Sequence, residues 1–101
     1  MEDFEKKMLE KIDVGEELSK SELAKLCYEH SIWDQEGDES QWTKSIESVV
    51  ELDGRYFSII WDRGLTEYQE NEFWNQPIEV RKHIYEKIIK VTEWIPINES
   101  N

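Results

Sequence analysis

The chain has 101 residues, one cysteine and a formal net charge of −12, from 12 Lys plus Arg against 24 Asp plus Glu. That length makes one domain, able to bury roughly two-thirds of its unfolded surface without staples. A lone Cys27 excludes an internal disulfide and fits a reducing compartment, and the acidity sets the chain against phosphate backbones and anionic lipid.

The acidity is uneven: residues 1–40 carry 5 basic and 13 acidic side chains, residues 41–101 carry 7 and 11. The partner that such charge favours is a basic protein surface, and the plainer reading is solubility alone. Twelve per cent aromatic residues, five tryptophans among them, argue against disorder for most of the length. The start, MEDFEKKMLEKID, lacks the basic and apolar regions of a secretion signal. No apolar run approaches the ~20 residues that span a bilayer. The expectation is a cytoplasmic protein.

Phe4, Met8, Leu9 and Ile12 fall on one stripe, which predicts a helix over 2–12 stopped at Gly15. A second helix is expected over 20–30, with Ser19 as N-cap and Glu22 at capping-box spacing. Leu23, Leu26, Cys27 and His30 form its inward stripe, and the pair reads as an αα-hairpin. DQEGDES, residues 34–40, lies in a stretch that reads as a polar surface loop.

From residue 41 the period changes to two, with Trp42, Ile46, Val50 and Leu52 on one face. Asp53-Gly54 is a hairpin signal, because a type I′ turn needs positive φ at both central residues. A two-residue turn sets Leu52 against Arg55, Val50 against Phe57, Ser48 against Ile59 and Ile46 against Trp61, so both apolar sets share a side. Asp62-Arg63-Gly64 ends the second strand, and LTEYQENEF, residues 65–73, reads as a short helical turn or ordered loop. From Ile78 two readings compete: alternation predicts two strands turning near Tyr85–Lys87, while Val80, Ile84, Ile88 and Val91 also match a helix. The β-branched density favours strands. The expected fold is therefore α+β, an N-terminal two-helix hairpin packed on a three- to four-stranded antiparallel sheet. One domain covers 1–97, with a frayed tail at 98–101.

Catalytic chemistry is hard to find. Two histidines 53 positions apart and one cysteine give no metal-binding spacing. Cys27 lies on an apolar stripe, where a thiol is inert. His30 belongs at a helix end and His83 in a cross-strand or surface position. Residues 34, 36 and 38 imitate a calcium loop, but Glu39 and Ser45 stand where its Gly and closing Glu belong. No catalytic, metal or cofactor-binding residue is expected, nor an enzyme.

The remaining candidate is an interface of Glu67, Tyr68, Glu70, Glu72 and Trp74, where carboxylates interleave with aromatics. Spaced carboxylates can sit where DNA phosphates would, and aromatics supply contact area at low entropy cost. The competing reading is a capped turn whose aromatics, Phe73 and Trp74, plug the sheet edge while its carboxylates face water.

LDGRYFSIIWDRGLTEYQENEFWNQPIEV, followed by KVTEW, resembles small uncharacterised proteins carried by phages and prophages of Gram-positive bacteria. The match covers Leu52 to Val80 and Val91 to Trp94, with GLTEYQENEF its most specific string. The resemblance implies the bacterial host cytoplasm and stoichiometric binding to a host or phage protein, as in anti-CRISPR proteins and DNA mimics. It transfers no site residue. The alternative is a structural or assembly homo-oligomer of phage origin with no inhibitory role.

Overall fold

The computed structural model describes residues 3–86 and 90–97, so the tail expected at 98–101 lies outside the described residues, as do 1–2 and 87–89. Helices α1 (Asp3–Asp13) and α2 (Lys20–Glu29) precede six strands: β1 (Ser31–Glu39), β2 (Thr43–Leu52), β3 (Arg55–Gly64), β4 (Glu72–Phe73), β5 (Ile78–Glu86) and β6 (Lys90–Pro96). All pairings are antiparallel, in the order β1-β2-β3-β5-β6, with β4 attached to β3.

The β2–β3 hairpin has the expected register, from Leu52↔Arg55 through Val50↔Phe57 to Ile46↔Trp61. Its turn uses positive φ at Asp53 (52°) and Gly54 (76°), as a type I′ turn requires. Ile46, Val50, Leu52, Phe57, Ile59 and Trp61 all reach the same core, against Met8, Leu18, Leu23, Leu26 and Cys27. Ser19 caps α2: its hydroxyl accepts from the Glu22 N–H while the Glu22 carboxylate accepts from the Ser19 N–H. A cap of this kind stabilises a helix by about 1 kcal/mol.

Three expectations need correction. The sheet has six strands rather than three or four, because residues 31–39 are a strand and not a loop and because the short β4 joins β3. β1 has no apolar face to announce it; from Asp34 onward every side chain is exposed, and the strand is held by its backbone ladder to β2. The αα-hairpin is also looser than expected. The helices run antiparallel but meet mainly through side chains, Phe4 stacked on His30 at 5.5 Å and Lys11 paired to Glu22 at 2.8 Å, and each packs on the sheet. Trp42 precedes β2 and is half exposed instead of facing inward. Residues 65–71 form a loop of turns, the second of the two forms expected there, leading into the two-residue β4.

The competition over 78–95 resolves to the hairpin β5–β6, with His83 opposite Glu93. Trp33 on β1 lies 6.0 Å, ring to ring, from Trp94 on β6. Four strand spacings of ~4.8 Å would hold those edges roughly 19 Å apart in a flat sheet, so the sheet is strongly curled. Inside the curl Trp94 also meets Tyr56 at 5.2 Å, and Val49 and Val80 are buried on that face.

Arg55 ties three elements together. It donates through Nε and Nη2 to both Glu79 oxygens at 2.9 Å, and through Nη1 to Asp13 at 3.1 Å. The Arg55 hydrogen bonds hold the Glu79 carboxyl below its ordinary value of 4.5. A carboxyl held low when folded contributes stability above its unfolded value and loses it as pH falls through the folded one. In thermal melts, Glu79→Gln will therefore lie below the wild type at about pH 7, and the gap will narrow below pH 4.5. A gap of constant size across that range would reject the linkage.

Candidate functional site

Nucleophilic chemistry finds no support at Cys27. Burial pushes its thiol up to about 12, so almost no thiolate exists near neutrality. The thiol belongs to a structural network in which Trp61 Nε1 donates to Ser48 Oγ at 2.9 Å and Ser48 donates to Asp34. His30 caps α2, its N–H donating to the Leu26 carbonyl, with its ring beside Glu5. The acidic positions of the imitated calcium loop are laid out along β1 instead of wrapped into a loop, and Glu36 is paired to Lys44 at 2.9 Å. Among the described residues no group of three metal-ligating side chains converges.

The segment after β3 is different. Its backbone is fastened by side-chain amides. Asn71 Oδ1 accepts from the Gly64 N–H at 2.8 Å, and its Nδ2 donates to the Tyr28 hydroxyl on α2. Asn75 Oδ1 accepts from the Ile60 N–H at 2.8 Å while its Nδ2 donates to the carbonyls of Ser58 and Gln76. Gln76 accepts from the Leu18 N–H and donates to the Leu18 carbonyl, as a strand neighbour would. The outer edge of β3 is thus covered in tandem, by β4 at 61–62, by Asn75 at 58–60 and by β5 at 56–58.

Fastened at both ends in this way, the segment forms a ledge. Tyr68 is 85% exposed and Trp74 61%. Glu67, Glu70 and Glu72 are all exposed. The two expected plugs behave differently: Phe73 turns in and stacks on Trp61 at 5.4 Å, while Trp74 stays out. All five predicted residues are thus exposed along this one segment, and a sixth residue, a carboxylate, lies beside it. Asp62 lies directly opposite Glu72 in the β3–β4 pair. Like charges facing across a ladder are unfavourable. Lys20 is the nearby cation, 3.4 Å from Glu70, a surface pair of small worth.

Beside the ledge runs an open groove of about 630 Å³, floored by Ala24, Tyr28 and Phe73 and rimmed by Lys20 and Glu70. Asp62, Asn71, Asn75 and Gln76 were missed from the sequence. An Asp-Arg-Gly strand end gives no hint of a cross-strand carboxylate, and an amide that clamps backbone carries no periodic signature.

The sequence matches no protein-family model, and neither curated proteins nor solved structures give a match. Among the described residues no helix is long and apolar enough to cross a membrane.

Proposed function

We propose that the chain is a small protein-binding module whose ledge of Glu67, Tyr68, Glu70, Glu72 and Trp74, extended by Asp62, docks on a basic protein surface. The observation that carries this reading is the exposure of two large aromatics, Tyr68 and Trp74, on a clamped backbone among carboxylates. Solubility alone would account for the carboxylates and not for the exposed rings. Aromatic anchors inside a charged rim are the usual make-up of binding hot spots. In the phage setting that the resemblance suggests, the partner is a nucleic-acid-handling host protein, with carboxylates taking the places of phosphates and the module acting as a stoichiometric inhibitor.

The test replaces Glu67, Glu70 and Glu72 together by Gln. Capture of a basic protein from nuclease-treated lysate should fall at least tenfold while the melting temperature holds, and wild-type capture should weaken with salt. Undiminished capture by the triple variant would remove the ledge from the interface.

A further inference from the structure

Among the described residues one buried side-chain polar atom has no hydrogen-bond partner, the indole nitrogen of Trp94. Nearly every covered donor in a folded protein is paired, so this N–H calls for an acceptor. It belongs to a cluster of rings inside the curl. Trp33 comes 6.0 Å from Trp94, ring to ring and tilted by 56°, and Tyr56 comes 5.2 Å from it, tilted by 52°. Pro96 shares this face, because it stands opposite Val80, which stands opposite Tyr56. All four are part-exposed, while Val49 and Val80 on the same face are buried. Charge borders the cluster on two sides. Glu51, exposed and opposite Tyr56, stands on the β2 side, and Glu47 points the same way and accepts from the Ser58 hydroxyl at 2.7 Å. Lys82 stands on the β5 side, opposite Trp94, with its ammonium 6.0 Å from that ring.

We propose that this face binds an extended, proline-rich protein segment with an arginine or lysine beside its prolines. A polyproline II chain has no internal hydrogen bonds, so its carbonyls are all available as acceptors. Its proline rings pack into slots between aromatic side chains, the general mode by which such segments are recognised. Helices and paired strands have their carbonyls already engaged, and they offer an orphan donor much less. One carbonyl of the segment accepts from Trp94 Nε1, its prolines lie against Trp33 and Tyr56, and its basic residue meets Glu51. β1 and β6 share no backbone pairing among the described residues, so the Trp33 and Trp94 rings can part to admit the carbonyl. The site does not rest on the ledge. Tyr56 lies six positions along β3 from Asp62, roughly 20 Å at the rise of a strand.

Amide and indole NMR of the labelled full chain tests this, with a synthetic oligoproline ending in arginines as the probe, at up to about 1 mM. The expected result is a saturable shift of the Trp94 indole N–H, identified by its loss in Trp94→Phe, together with the amides of Trp33 and Tyr56. Trp94→Phe keeps a ring and loses the donor, so it should weaken the peptide about tenfold. Glu51→Lys changes an exposed side chain, and should weaken the arginine-ended peptide while leaving plain oligoproline unaffected. A Trp94 indole that stays still at the highest concentration, or an unchanged affinity in Trp94→Phe, would overturn the proposal. Equal binding by a glycine–serine peptide with the same arginines would overturn it as well, since the face would then read charge alone. Shifts confined to Tyr68, Trp74 and their neighbours would place the peptide on the ledge and remove this site.

Discussion

Gly64→Ala will dislodge the ledge. A Cβ at that position would lie 2.1 Å from the Gln69 carbonyl oxygen and 2.7 Å from its carbon, both backbone atoms that cannot rotate away. The turn must shift, and with it the Asn71 side chain that accepts from the Gly64 N–H. Forcing a methyl group into filled space costs about 1–3 kcal/mol. The larger effect falls on binding, because Glu67, Tyr68 and Glu70 all lie on the displaced segment. Gly37→Ala is the control, since a Cβ there meets only Ser45 at 3.7 Å, an ordinary contact. Its stability should stay within about 1 kcal/mol of the wild type. Denaturant melts of both variants, with the capture assay, check the pair. A Gly64→Ala protein that melts and binds like the wild type would show that the turn is not held by this close approach.

Trp61→Ala should cost the most stability of any single change near the site, about 3–5 kcal/mol. The indole is 6% exposed, stacks on Phe73 at 5.4 Å and meets the Tyr28 ring at 5.5 Å. Its N–H donates to Ser48, which is fully buried. Removing it opens a cavity under β4 and releases Phe73, the inward anchor of the ledge. Trp61→Phe keeps the ring stack and loses the donated hydrogen bond, so it should cost about 1–3 kcal/mol. Chemical denaturation separates the two, and equal losses would mean that the hydrogen bond outweighs the packing.

What the sequence disclosed follows from what each element depends on. The β2–β3 hairpin was legible to the residue pair because two local signals agree, the Asp53-Gly54 turn and an alternation that buries Ile46, Val50, Leu52, Phe57, Ile59 and Trp61 together. The α2 cap was legible because a capping box is a fixed spacing. β1 was missed because its ladder is backbone and its side chains from Asp34 onward stay in water, so no periodicity marks it. The two-residue β4 is too short for a pattern. Of the site, the carboxylates and aromatics of 67–74 could be picked out, but which ring faces outward could not. Phe73 and Trp74 are adjacent and similar in hydrophobicity, and only pairing to Trp61 and Asp62 decides that Phe73 turns in.

The strand order has a consequence for how the chain acquires its structure. Every neighbour in the main path of the sheet is also the next strand in sequence, apart from β4, which joins the edge of β3 just before β5 does. No described strand needs a crossover, and the loop-closure cost grows only slowly even across the longer β3–β5 connection. The ten-pair β2–β3 hairpin, closed by a two-residue turn, is the natural nucleus. A chain emerging N-terminus first can add its remaining strands in order of appearance. Strand pairings this local favour fast folding, while the contacts that close the curl and seat the helices, Trp33 on Trp94 and Gln76 on Leu18, come last.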